Sequence, residues 1–273
     1  MQLITEPLVT GFEGVLNSYS DYLRLKHPKN AGRFDRARES DPEASIAEAL
    51  VFQMLQTLGV RPEIHDRVGT GGADFICYSQ RGGSLNQPPG DRFVVEATAL
   101  SLEAVSERSN IPNEWPKGPG GCAFGVLTKN ICNKAKAKNR QLADHPMPRV
   151  LAIVSTHFGA SLLFDFAAAE RALVSDTHWR EEIGNCVEDT TQYTDLGQSV
   201  FIRLDPDGRV VACRQNISAI LLIAANRGEV YGVLHPEPEY PFNIASLAMV
   251  PFVRIARWPI VGGRITTEWT REP

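Results

Sequence analysis

The sequence predicts an α/β protein built on a mixed central sheet, and three stretches carry that prediction. Residues 40–60, "SDPEASIAEALVFQMLQTLGV", have the caps and apolar spacing of a helix. Three β-rich segments separated by Gly- and Pro-rich turns follow between 61 and 100. A basic amphipathic stretch at 126–143 then leads into the fully apolar "RVLAIVSTH" at 149–157. Short alternating segments joined by tight turns give an antiparallel meander, whereas a helix before an apolar strand gives a crossover back onto the sheet.

Taken in order, residues 8–23 set Leu8, Val9, Phe12, Val15, Leu16, Tyr19, Tyr22 and Leu23 at spacings of three and four, the stripe of an amphipathic packing helix. The polar "KHPKNAGRFDRARES" (26–40) reads as a solvated surface connection, with a phosphate-contacting arm as the other reading. In the 40–60 helix Ser40 or Asp41 is the N-cap, Pro42 lies in the first turn and Gly59 is the stop. "RPEIHDRV", "ADFICYS" and "RFVVEATAL" are the three strands of the meander. The Pro- and Gly-dense 103–121 is a long loop, a kind of segment that often serves function.

Beyond the apolar strand the sequence predicts a helix at 164–176, strands at 198–205 and 209–215, a buried segment at 217–225 and a strand opening "EVYGVLHPEPEYPF". No internal repeat or linker divides the chain. One domain over 1–273 is expected, with a core at about 41–160, a helical extension over 1–40 and an elaboration over 161–273.

Composition excludes some functions. A net charge of -4 gives no global basic footprint, so a polyanion would have to be held by a local patch or a metal. Five scattered cysteines without a CxxC pair indicate reduced thiols and a cytoplasmic protein. The N-terminus has no signal-peptide pattern, and the longest apolar run, "ISAILLIAA", is too short to cross a bilayer, so no membrane partner is expected.

Chemistry is indicated by misplaced carboxylates. Glu96 interrupts an apolar strand, where an unpaired charge is costly. Glu96 and Thr98 share one strand face, and Asp74, at the start of the neighbouring segment, can face Glu96. Glu48 lies on or beside the apolar face of its helix. Converging carboxylates repel one another unless a proton or a divalent cation lies between them, and a hard cation such as Mg²⁺ suits oxygen donors.

This order of elements and acids resembles the PD-(D/E)XK, or restriction-endonuclease-like, nuclease superfamily. The resemblance runs over about 41–160: Glu48 in "ASIAEALVF", Asp74 in "GTGGADFIC" and Glu96 in "FVVEATAL". It implies a three-layer fold with helices flanking the mixed sheet. It further implies Mg²⁺, with Mn²⁺ as substitute, on Asp74, Glu96 and the Ala97 carbonyl, and Glu48 holding a water or a second ion. The superfamily's lysine is Thr98 here, which can only orient water. Some members carry that lysine on the following helix, where this chain has Lys134, Lys136 and Lys138. Lys134 is the first choice, Lys138 the second, and Gln141, on the same stripe, a helper.

The expected function is therefore metal-dependent phosphodiester hydrolysis of DNA, in a possible homodimer. The alternative is a catalytically silent nuclease-like fold that binds nucleic acid or protein. Other sites are weaker. The six histidines lack zinc-ligand spacing, His157 reads as a satisfied strand-end residue, and a Cys122–His157 nucleophilic pair has no supporting signature. Trp115 and Lys117 in the long loop could touch a nucleic acid, though a loop packed on its own aromatic explains them as well.

Overall fold

The computed structural model describes residues 11–65, 72–79, 91–101, 103, 105–106, 120–121, 124–157, 164, 166, 169–170, 182–183, 199–257 and 265–271. The long loop with Trp115 and Lys117, most of the helix expected at 164–176, Cys122 and Cys186 lie outside these residues.

Three helices open the described chain: α1 (Phe12–Lys26), α2 (Pro28–Ser40) and α3 (Pro42–Thr57). In α1 the buried residues Val15, Leu16, Tyr19, Ser20 and Leu23 follow the expected stripe. The segment 26–40, expected as a loop, is instead helical. Pro28 stands at the first helical position, Ala31 and Phe34 are buried, and polar anchors hold the rest. Ser20 Oγ donates to Asp35 Oδ1 at 2.9 Å, Arg24 pairs with Asp35 at 3.1 Å, and Arg38 reaches Asn17 and Glu13. Two apolar anchors in a run of charges are too few for periodicity to reveal; neighbouring α1 supplies the missing partners. In α3 the Asp41 side chain accepts from Ala44 N–H, and Gly59 adopts a φ of 75°, a left-handed stop.

The strands are β1 (Val60–Ile64), β2 (Phe75–Ser79), β3 (Arg92–Leu100), β5 (Arg149–Ser155), β9 (Ala219–Ala224), β10 (Glu229–Leu234), β11 (Phe252–Arg257) and β12 (Thr266–Trp269), in that spatial order in one eight-stranded sheet. Two small ladders stand apart, β4 (Gly120–Gly121) with β6 (Glu182–Ile183), and β7 (Ile202–Leu204) with β8 (Val210–Ala212). β1, β2 and β3 form the expected antiparallel meander. After helix α4 (Phe124–Gln141), β5 joins β3 in parallel, the expected crossover. The sheet is mixed, since β5–β9 and β10–β11 are also parallel while β9–β10 and β11–β12 are antiparallel.

Helices pack on both faces. Residues of α1, α2 and α3 share one core with Val95, Val150, Ala152, Leu221 and Ile223, while Leu127, Ile131 and Ala135 of α4 share a second with Val94, Leu151, Ile153 and Leu222. Strands buried on both faces read as continuous apolar runs, which explains "RVLAIVS" and "AILLIA". Four of the eight strands come from beyond residue 160, so the region expected as an elaboration supplies half of the main sheet. β11 and β12 are short and near the edge, and lie where the sequence reading assigned no element.

Candidate functional site

Glu96 sits in the middle of β3, between β2 and β5, and is only 3% exposed. The ladder pairs Ile76 with Val94 and Phe75 with Val95, so one further step sets Asp74 opposite Glu96. Strand alternation turns the Glu96 carboxyl toward the face that α4 covers. The Ala97 N–H donates to Asp74 Oδ2 at 2.7 Å, which fixes the Asp74 carboxyl just beyond the end of the β2–β3 pairing. In an extended strand the carbonyl of a residue leaves on the same side as its N–H, so the Ala97 carbonyl departs toward Asp74 as well.

Helix α4 brings the cation. Lys138 Nζ forms an ion pair with Glu96 Oε1 and donates to Gln141 Oε1 at 2.9 Å. Gln141 Nε2 donates to Glu96 Oε1 at 3.1 Å and to the Gly72 carbonyl at 2.7 Å. The N–H of the same peptide, that of Ala73, donates to His145 Nε2 at 3.3 Å, so the end of α4 and the turn after it hold both polar ends of the Gly72–Ala73 peptide that precedes Asp74. Glu96 Oε1 thus has two donors. Glu96 Oε2 is buried without a hydrogen-bond partner among the described residues.

Glu48 arrives from the other side of the sheet, on α3, and is half-buried. Its Oε1 accepts from the Tyr19 hydroxyl at 2.7 Å. Tyr19 is 2% exposed, and burial, with Glu48 next to it, holds its hydroxyl protonated far above the usual tyrosine range.

All three acids are made harder to ionise. Burial is the main cause for Asp74, pushed well above its ordinary value, and the charges of Glu96 and then Glu48 add to it against the Ala97 N–H and Lys138. Burial also raises Glu96, opposed by Lys138 and Gln141 and reinforced by Glu48. Glu48 is raised by burial, while Tyr19 and the charge of Arg33 pull it down. The charges of Glu96 and Glu48 disfavour ionisation of Asp74, and Lys138 and Arg33 are the cations set against the three acids. Among the described residues, however, no three His, Cys, Asp or Glu side chains are already closed into a metal-binding group. The three acids affect one another's ionisation without forming such a group.

Of the residues expected from sequence, Glu96, Lys138 and Gln141 meet directly through the contacts above, and Asp74 bonds the Ala97 N–H next to Glu96. On α4 it is Lys138, the second choice for the catalytic lysine, that pairs with Glu96. Lys134 lies one turn earlier, partly exposed, and none of the contacts described for the acids involves it. Thr98 is buried on the Glu96 face. Tyr19 and His145 were missed as site residues. Tyr19 falls on an apolar stripe, where its hydroxyl is invisible to periodicity, and His145 stands alone in a turn; only tertiary packing joins them to the acids.

Elsewhere, His157 is fully buried and 2.9 Å from Ser106 Oγ, as a satisfied strand-end histidine should be. Cys77, Cys132 and Cys213 are free thiols. No described helix is long and apolar enough to cross a membrane. Compared with protein-family models, with curated proteins and with solved structures, the chain has no match.

Proposed function

We propose that the chain is a metal-dependent phosphodiesterase acting on DNA, of the PD-(D/E)XK type. One observation carries the reading: a carboxylate buried in mid-strand, Glu96, keeps an oxygen without a partner among the described residues while a second carboxylate, Asp74, is bonded to the N–H of the next residue, Ala97. An unpaired buried oxygen and repelling neighbours are unfavourable for a purely structural group, and a divalent cation relieves both.

The donor set fits a hard cation. Asp74 and Glu96 supply carboxylate oxygens, the Ala97 carbonyl leaves the strand on their side, and Glu48 contributes from across. Mg²⁺, with Mn²⁺ as substitute, would supply charge that polarises a phosphoryl oxygen and makes water easier to deprotonate. Lys138 contributes an ammonium held in place by Glu96 and Gln141, positioned to stabilise negative charge growing on phosphate. Gln141 ties this pair to the Gly72 carbonyl and so keeps the lysine and the Asp74 segment in register. Thr98, buried beside them, offers a hydroxyl that can orient water.

The test is a Mg²⁺ or Mn²⁺ titration against a supercoiled plasmid and a single strand, with metal binding followed by calorimetry. Cutting that needs the ion and disappears in Glu96→Ala is expected. Cutting that persists undiminished in Glu96→Ala removes the assignment. Metal binding without cutting would favour the silent module, for which Thr98 in place of the lysine is the supporting observation.

A further inference from the structure

We propose that Tyr19 is a positioning residue for Glu48, so that helix α1 belongs to the reaction site as well as to the core. The inference rests on the metal-dependent reading of the acid cluster.

The geometry is specific. The Tyr19 hydroxyl donates to Glu48 Oε1 at 2.7 Å, across 29 residues of sequence. The ring is fixed from several sides: Phe34 packs edge-on at 4.9 Å, Phe52 at 4.9 Å, Phe75 at 6.5 Å and Tyr22 at 6.4 Å. Two of these rings mark the acids, since Phe52 lies one turn beyond Glu48 on α3 and Phe75 directly follows Asp74. Tyr19 therefore packs against the elements that carry both carboxyls and bonds one of them.

A tyrosine needed only for packing could be phenylalanine. The hydroxyl instead engages one oxygen of Glu48, which restrains a side chain with three rotatable bonds and leaves Oε2 as the oxygen to meet an ion. Satisfying two buried polar groups would produce the same bond. The two roles differ in what removal of the hydroxyl does to metal binding.

The experiment uses the full chain with Tyr19→Phe, Glu48→Gln, their combination and, as a control from the same aromatic cluster, Tyr22→Phe. Mn²⁺ affinity is measured by calorimetry, and kcat and KM for plasmid cleavage are measured at fixed Mn²⁺. A positioning role predicts that Tyr19→Phe weakens Mn²⁺ binding by about tenfold, the scale of one hydrogen bond to a charged group. It also lowers kcat with KM for DNA unchanged, and adds nothing in the Glu48→Gln background. Tyr22→Phe should behave as wild type. Wild-type Mn²⁺ affinity in Tyr19→Phe, or additive losses in the double variant, would overturn the inference. If wild type binds Mn²⁺ and cuts while Glu48→Gln has no effect, the inference falls and the nuclease reading stands. If wild type neither binds nor cuts, both fall.

Discussion

Two ion pairs in this molecule, on neighbouring strands β3 and β5, each have one deeply buried member, and they are finished to different degrees. Arg149, at the start of β5, is 1% exposed. Its Nε donates to the His145 carbonyl at 2.7 Å, Nη2 to the Ala143 carbonyl at 2.9 Å, and Nη1 to Glu239 at 2.7 Å and Asn216 at 3.3 Å. The guanidinium also lies over the Tyr240 ring at 4.8 Å. Its partner Glu239 is about half exposed, so water solvates what the arginine does not. The Lys138–Glu96 pair is the reverse case. There the carboxylate is the deeply buried member, one of its oxygens has no partner, and its nearest charged neighbours include two more acids. A buried charge is therefore not by itself a sign of chemistry; unfilled coordination next to like charge is the sign.

The largest effect expected from this contrast is at Arg149. Arg149→Leu removes the donor that ties the turn after α4 to β5 and to Glu239, leaving the Ala143 and His145 carbonyls without it. Losing the four hydrogen bonds of this deeply buried guanidinium destabilises by about 2–6 kcal/mol, to be read from urea unfolding. Added Mn²⁺ should not restore the loss. Restoration would mean that the two pairs belong to one site, and the contrast would fail.

Next in size is the lysine. On the proposed nuclease reading, Lys138→Met should lower the cleavage rate by about 100-fold, roughly 2.7 kcal/mol in the barrier, because it would remove a charge held beside the phosphate. Lys134→Met should change it less than about twofold. Equal losses in the two variants would show that α4 acts through its general positive charge, and raising the salt concentration would then erase both differences.

How far this was legible in the sequence depends on the element. The capped helix α3, the meander and the α4–β5 crossover were readable because caps, Gly and Pro turns and continuous apolar runs are local signals. Glu96 was readable for a related reason: an acid between Val95 and Ala97 contradicts its own strand. Helix α2 was not, since its anchoring bonds to Ser20, Asn17 and Glu13 are made by another helix. The choice between Lys134 and Lys138 could not be made from spacing either. Both lie on one stripe, and which one meets Glu96 depends on how far α4 is advanced along β3, which tertiary packing decides.

The smallest effect expected is on the stability of the metal-free protein, and its sign is the informative part. Asp74, Glu96 and Glu48 all hold protons more tightly folded than unfolded, chiefly because they are buried. Below the ordinary carboxyl range both states carry the protons, and these groups make no pH-dependent difference. As pH rises above that range the unfolded chain releases them first, so stability falls until the raised native values are passed and then stays level. Asp74→Asn keeps the size of the side chain and an oxygen for the Ala97 N–H, but removes one charge from a group that titrates as a set. Without metal, the variant should therefore match wild type at acid pH and melt above it at neutral pH, where a gain of about 1 kcal/mol appears as roughly 2–4 °C. Mn²⁺ should reverse the order, raising the wild-type melting temperature and leaving the variant nearly where it was. The opposite sign to Arg149→Leu is what the contrast demands, because removing a charge from a saturated network leaves partners stranded, whereas removing one from a crowded carboxylate cluster relieves repulsion. A melting difference between Asp74→Asn and wild type that did not change with pH would show that Asp74 is ionised without penalty, and the cluster would then need no cation.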